Sequence, residues 1–193
     1  MLMIGEQKEL ILSAALQLLK ELGCEGFSLA KVADRANIPQ STVLLHFKNK
    51  SVLLDILFSD FIDAYFVHLR NYQAPEGLIA EKALGALLLH MLKYRESTLC
   101  VQLFKEFWVF SNHNKMGYLA LDQYYRELHA VIVKHLTSIA PVDCAEQKIQ
   151  FSASVLLPFV EGYSITRTTL PISILQLVDQ LSIVLKRILY QPV

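Results

Sequence analysis

Gln40, Ser41, Thr42 and His46 fall within one short stretch of the chain. The Gln40 amide can pair bidentately with an adenine edge, and the Thr42 hydroxyl suits a base or a phosphate. Cations surround them. Residues 28–50 carry Lys31, Arg35, Lys48 and Lys50 against the one carboxylate of Asp34, a formal charge of +3. Lys48 and Lys50 stand where phosphate contacts would add affinity by releasing counterions. The chain as a whole is neutral, with 18 Lys and Arg against 18 Asp and Glu. Such segregation argues against a uniformly basic nucleic-acid coat and for one local DNA-facing patch. An ordinary solvated helix face carries the same residue types, and His46 also suits packing beneath Phe47.

These side chains need a scaffold, and the spacing of apolar residues predicts one that is all-α. Leu10/Ile11, Ala14/Ala15, Leu18/Leu19 and Leu22 recur at helical spacing and mark a first helix over about 6–22, with Gly23 at its C-terminal turn. Ser28 is placed to cap a short helix over 29–35. Asn37 tolerates the left-handed conformation of a tight turn, and Pro39 fits the first turn of a third helix over about 39–46. Ala33, Ala36, Ile38 and Val43 are spaced to bury the angle between these two short helices. The result is a helix-turn-helix, whose second helix can lie in the DNA major groove. Asn49 is placed to cap a fourth helix with apolar positions from Val52 to Leu69. Five more follow at about 78–94, 98–111, 114–139, 143–169 and 173–190, making about nine, with breaks at Ser111–Asn114, Ala140–Pro141 and Leu170–Pro171. Composition changes near residue 50, which divides the chain into 1–50, with three short helices and tight turns, and 51–193, with longer, aromatic-rich helices.

The ordered segments Ile11-Leu12-x-Ala14-Ala15, Gly23-x-x-Gly26-Phe27-Ser28-Leu29, Val32-Ala33-x-x-Ala36-Asn37-Ile38, Ser41-Thr42-Val43-x-x-His46-Phe47-x-Asn49-Lys50 and Leu53-Leu54 resemble the tetracycline-repressor-like (TetR) family. The match runs over about 8–58; the rest is similar to that family in length and helical patterning. The resemblance implies a homodimeric DNA-binding regulator, usually a repressor released by a small ligand in its C-terminal domain. Ser28, Lys31, Gln40, Ser41, Thr42, Leu44, His46, Lys48 and Lys50 are the expected DNA-binding residues. The chain departs from the family pattern at Asn37 and Ser41, where Gly is usual or frequent, and at Leu44, where Tyr is common. Leu44 can touch a thymine methyl but cannot hydrogen-bond to phosphate.

Downstream of residue 50, His90, Phe104, Phe107, Trp108, Tyr125, His129 and Tyr163 are candidates to line a ligand cavity, with Glu106 as a further polar group. Each aromatic has core packing as its plain alternative. No basic cluster accompanies them, so an apolar or aromatic effector is expected. Apolar stripes over 149–162 and 174–188 suit a homodimer through the last two helices, and two-fold symmetry suits an inverted-repeat operator.

Other functional classes find little support. Asp60, Asp63 and Glu146 converge on no catalytic pattern, and there is no Gly-rich phosphate loop. Cys24, Cys100 and Cys144 lack metal-ligand spacing, so no catalytic residue, metal or cofactor is expected. The chain start lacks the basic and apolar regions of a signal peptide, and the apolar run Ala83–Leu89 is far too short to span a membrane. The expected location is the cytoplasm. The alternatives are a same-fold DNA-binding protein with a structural or partner-binding role, and a helical small-molecule carrier.

Overall fold

The computed structural model describes residues 4–113, 115–169 and 171–190. Among these there are nine helices and no strand: α1 Ile4–Gly26, α2 Leu29–Ala36, α3 Gln40–His46, α4 Lys50–Arg70, α5 Ala80–Tyr94, α6 Thr98–His113, α7 Lys115–Ile139, α8 Glu146–Thr166 and α9 Ile174–Tyr190. No helix among the described residues is long and apolar enough to cross a membrane. The expected breaks at Ser111–Asn114 and Leu170–Pro171 each include one residue, Asn114 or Leu170, outside the described set. Helix α8 is shorter than its apolar pattern suggests. A turn at its start, closed by Cys144 N–H on the Pro141 carbonyl (2.9 Å), delays it to Glu146.

The chain forms two compact units, Met1–Ala64 with Gln102–Leu121, and Tyr65–Val101 with Asp122–Val193. Most of α4, most of α6 and the start of α7 belong to the first unit.

In the first unit α1 packs on α2, and α2 on α3. The short helices are held by their ends. The Ser28 hydroxyl accepts from Lys31 N–H (3.3 Å), the N-cap arrangement. Asn37 adopts φ 52°, ψ 47°, and Ile38 N–H reaches back to the Ala33 carbonyl (3.1 Å), a left-handed cap that satisfies the last carbonyls of α2. Pro39 sits one position earlier than a first-turn residue. It precedes Gln40 with extended ψ, and its carbonyl accepts from Thr42 N–H (2.9 Å). Asn49 Oδ1 accepts from Val52 N–H (3.0 Å) at the start of α4. Ala33, Ala36 and Val43 are buried, with Ile38 partly so, as the spacing predicts. Beneath them, Phe58 meets Phe107 and Phe110 at 5.3 and 5.4 Å, and Phe61 meets Phe104 edge-on at 4.8 Å.

Gly23 breaks α1 with φ 65°, a conformation that favours glycine. A Cβ there would lie 2.8 Å from Glu106 Oε1. The Glu106 carboxylate accepts from Cys24 N–H (2.5 Å), and the Gln102 amide donates to the Lys20 carbonyl. Helix α6 thus supplies hydrogen-bond partners to the end of α1, where backbone groups lack helical ones.

In the second unit α5 packs on α9 and α8, and α8 on α9. Gly85 permits close approach: a Cβ there would stand 3.3 Å from Ser182 Oγ. Val178, Leu185 and Leu189 form the buried side of α9. Tyr190 anchors its end by donating to the Ile139 carbonyl (2.7 Å).

Candidate nucleic-acid interface

Helix α3 buries Val43 completely, and that fixes what the opposite face presents. Residues 40, 41, 44 and 45 share one side of a helix with 3.6 residues per turn. All four are exposed, and Leu45 at 86% is the most exposed large apolar side chain among the described residues of this unit. Gln40, Ser41 and Leu44 are thus brought together as the sequence predicts. Leu45 extends the face and was not singled out. Its signal was the run Val43-Leu44-Leu45: one buried leucine-sized position per turn suffices for so short a helix, so adjacent leucines cannot all face inward.

Thr42 and His46 occupy the half-buried flank. His46 Nε2 lies 3.4 Å from Gln7 Oε1 on α1, and its ring is 6.2 Å from that of Phe47. It leans toward the protein more than toward the open face.

Three of the four cations of 28–50 are engaged within the protein. Arg35 forms a two-pronged pair with Glu21 on α1, at 2.9 and 2.6 Å, which holds the Glu21 carboxyl below its usual range. Lys31 Nζ donates to the Gly26 carbonyl (2.8 Å) and Lys50 Nζ to the Cys24 carbonyl (2.6 Å). The +3 counted along the sequence therefore overstates the local field, since Glu21 lies outside the counted segment. Each of these two lysines uses one ammonium N–H in that bond and has two others to donate. Lys48 is exposed. Burial and the neighbouring Glu106 push the Cys24 thiol up to about 12, so it stays protonated.

The candidate ligand-lining residues separate. Phe104, Phe107 and Trp108 belong to the first unit, where Phe104 and Phe107 are 3% and 1% exposed and packed on α4. His90, Tyr125, His129 and Tyr163 belong to the second. There His90 Nε2 is 3.3 Å from the His68 carbonyl, His129 Nε2 is 3.1 Å from Ser154 Oγ, Tyr163 donates to Glu96 (3.3 Å), and Tyr125 packs on Tyr124 (5.1 Å). The second unit also holds a buried charge cluster that the sequence reading missed. Arg95 pairs with Glu161 (2.5 Å), donates to the Tyr65 hydroxyl (3.2 Å) and the Tyr124 hydroxyl, and lies over the Tyr65 ring. Burial disfavours the Arg95 charge, but Tyr65, Tyr124 and Glu161 outweigh it and raise its pKa further.

A capped three-helix head with an outward α3, on an otherwise helical chain, defines a helix-turn-helix regulator. Residues 11–56 match the family described as bacterial regulatory proteins, tetR family. The chain is 32% identical over 173 residues to the uncharacterized HTH-type transcriptional regulator in the dhlA 5′ region of Xanthobacter autotrophicus, covering 86% of this chain and 82% of that protein. It is 41% identical over 51 residues to the class C tetracycline repressor protein of Escherichia coli, covering 26% of this chain and 23% of that one. A transcriptional regulator from Rhodococcus sp. Rha1 shares the fold with a TM-score of 0.73 at 17% identity, over 93% of this chain and 95% of that one. The chain belongs to the tetR family of DNA-binding transcriptional regulators.

Proposed function

We propose that the chain is a homodimeric repressor whose α3 reads an inverted-repeat operator and whose affinity is modulated by an apolar or aromatic small ligand. The observation that carries the reading is the outward face of α3: Gln40, Ser41, Leu44 and Leu45 are exposed while Val43 is fully buried. Gln40 suits an adenine edge, Ser41 and Thr42 a base or phosphate, and Leu44 a thymine methyl. To Ser28, Lys31, His46, Lys48 and Lys50 the proposal gives backbone-positioning roles. Residues 1–50 serve recognition and 51–193 serve dimerisation and ligand sensing.

Dimerisation through α8 and α9 is supported by apolar side chains left in the open after both helices have packed in the chain. Phe151 and Val155 on α8 and Leu175, Ile183 and Val184 on α9 are exposed, Leu175 by 58%. Ligand sensing is supported by the Trp108 indole N–H, which is buried with no hydrogen-bond partner among the described residues. A protein that acts on an operator works in the cytoplasm.

Selection from a pool of randomised duplexes tests the reading. The expected outcome is enrichment of two inverted half-sites about one helical turn, or a multiple, apart. Enrichment of a single half-site bound by one chain would overturn the dimer, and no enrichment at all would overturn sequence-specific recognition.

A further inference from the structure

The first unit contains a cleft of about 890 Å³ bounded by the end of α1, the start of α4, the end of α6 and the start of α7. Its floor is apolar, with Leu54 and Phe110 buried and Val109 half-exposed. Its rim carries Lys50, Lys115 and His113. The facing acid on the lining is Glu25, so Lys50 and Lys115 leave the lining one formal positive charge in excess. Lys50 Nζ uses one donor on the Cys24 carbonyl at 2.6 Å and has two others. The volume is that of a small-molecule site. An apolar floor beneath a rim with one excess positive charge is complementary to one kind of ligand: an apolar body ending in a single negative charge.

We propose that this cleft binds a monoanionic amphiphile, with the anionic group on Lys50 and Lys115 and the apolar body on Val109, Leu54 and Phe110. The lining of the cleft belongs to the first unit and the buried Arg95–Glu161 cluster to the second. Occupancy draws on the ammonium that ties the start of α4 to the end of α1. On the DNA-binding reading above, the ligand therefore modulates operator affinity, but binding itself does not depend on that reading.

The test is a fluorescence titration of the full chain, without DNA, using 8-anilinonaphthalene-1-sulfonate, an aromatic body with one sulfonate. Saturable binding of one probe per chain is expected. Lys115→Glu and Val109→Glu, both at exposed positions, should each weaken it roughly tenfold, since reversed or added charge repels the sulfonate at short range. Lys115→Arg should bind like the parent, and decanoate should displace the probe where decyltrimethylammonium does not. Unchanged probe affinity in both glutamate variants, with helix content intact by circular dichroism, would overturn the site. Equal binding of uncharged N-phenyl-1-naphthylamine would overturn the charge preference. Operator binding measured on the same preparations without probe reports separately on the DNA reading.

Discussion

Arg95 and Glu161 stand 66 positions apart in the chain and meet at 2.5 Å where Arg95 has no solvent exposure and Glu161 has 5%. Two charges removed from water hold together because the Tyr65 and Tyr124 hydroxyls share the cluster. Removing one partner leaves the other charge uncompensated. Glu161→Ala should lower stability by about 3–5 kcal/mol in urea unfolding. Replacing both, as Arg95→Met with Glu161→Leu, should recover most of that loss, because an apolar pair of similar volume needs no desolvation. A double variant as unstable as Glu161→Ala would mean the pair contributes through something other than charge balance.

The same cluster fixes the alkaline limit. Burial is the main cause that raises the Tyr65 hydroxyl from 10.0 to about 12. Between these values the unfolded chain loses its proton and the folded one retains it. Stability present below pH 10 is therefore lost as the pH rises through about 12, by about 2–3 kcal/mol for this group. Melting temperatures across that range should fall for the parent and fall less steeply for Tyr65→Phe. Parallel curves would remove Tyr65 from the account.

The helical head was legible in the sequence because short-range rules govern it. Ser28, Asn37 and Asn49 act through backbone groups three to five positions away, and Ala33, Ala36 and Val43 through helical spacing. The charge cluster was not legible. Arg95 closes a helix beside Glu96 and reads as an ordinary surface end, and Glu161 is a lone acid in an apolar run. Their meeting depends on tertiary packing that no local spacing encodes. The charge of the head was misjudged for the same reason: Glu21, which neutralises Arg35, comes from another helix.

The turn of the head gives a stability test. Asn37 is the one non-glycine residue at positive φ among the described residues. Asn37→Gly should leave the melting temperature nearly unchanged, because the side chain supplies no strain that glycine needs to relieve. Asn37→Val should cost about 1–3 kcal/mol, since a branched Cβ crowds the left-handed conformation. Equal stability of the valine and glycine variants would contradict the turn geometry.

The proposed dimer face is tested by light scattering. Val184 is exposed in the single chain and is assigned to the α8–α9 interface. Val184→Glu should yield folded monomers, because an unpaired charge buried at the interface costs about 3–5 kcal/mol. A stable dimer of that variant would place the contact elsewhere.

The central claim is that the outward face of α3 reads base sequence, and Gln40 tests it most directly. The measurement is the affinity of the parent and of Gln40→Ala for the selected operator and for a scrambled duplex at one salt concentration. Loss of the bidentate amide should cost about 1–3 kcal/mol on the operator and nothing on the scrambled duplex, relaxing discrimination at one base pair in each half-site. Equal loss on both duplexes, or none on either, would contradict the assignment of α3 as the reading helix.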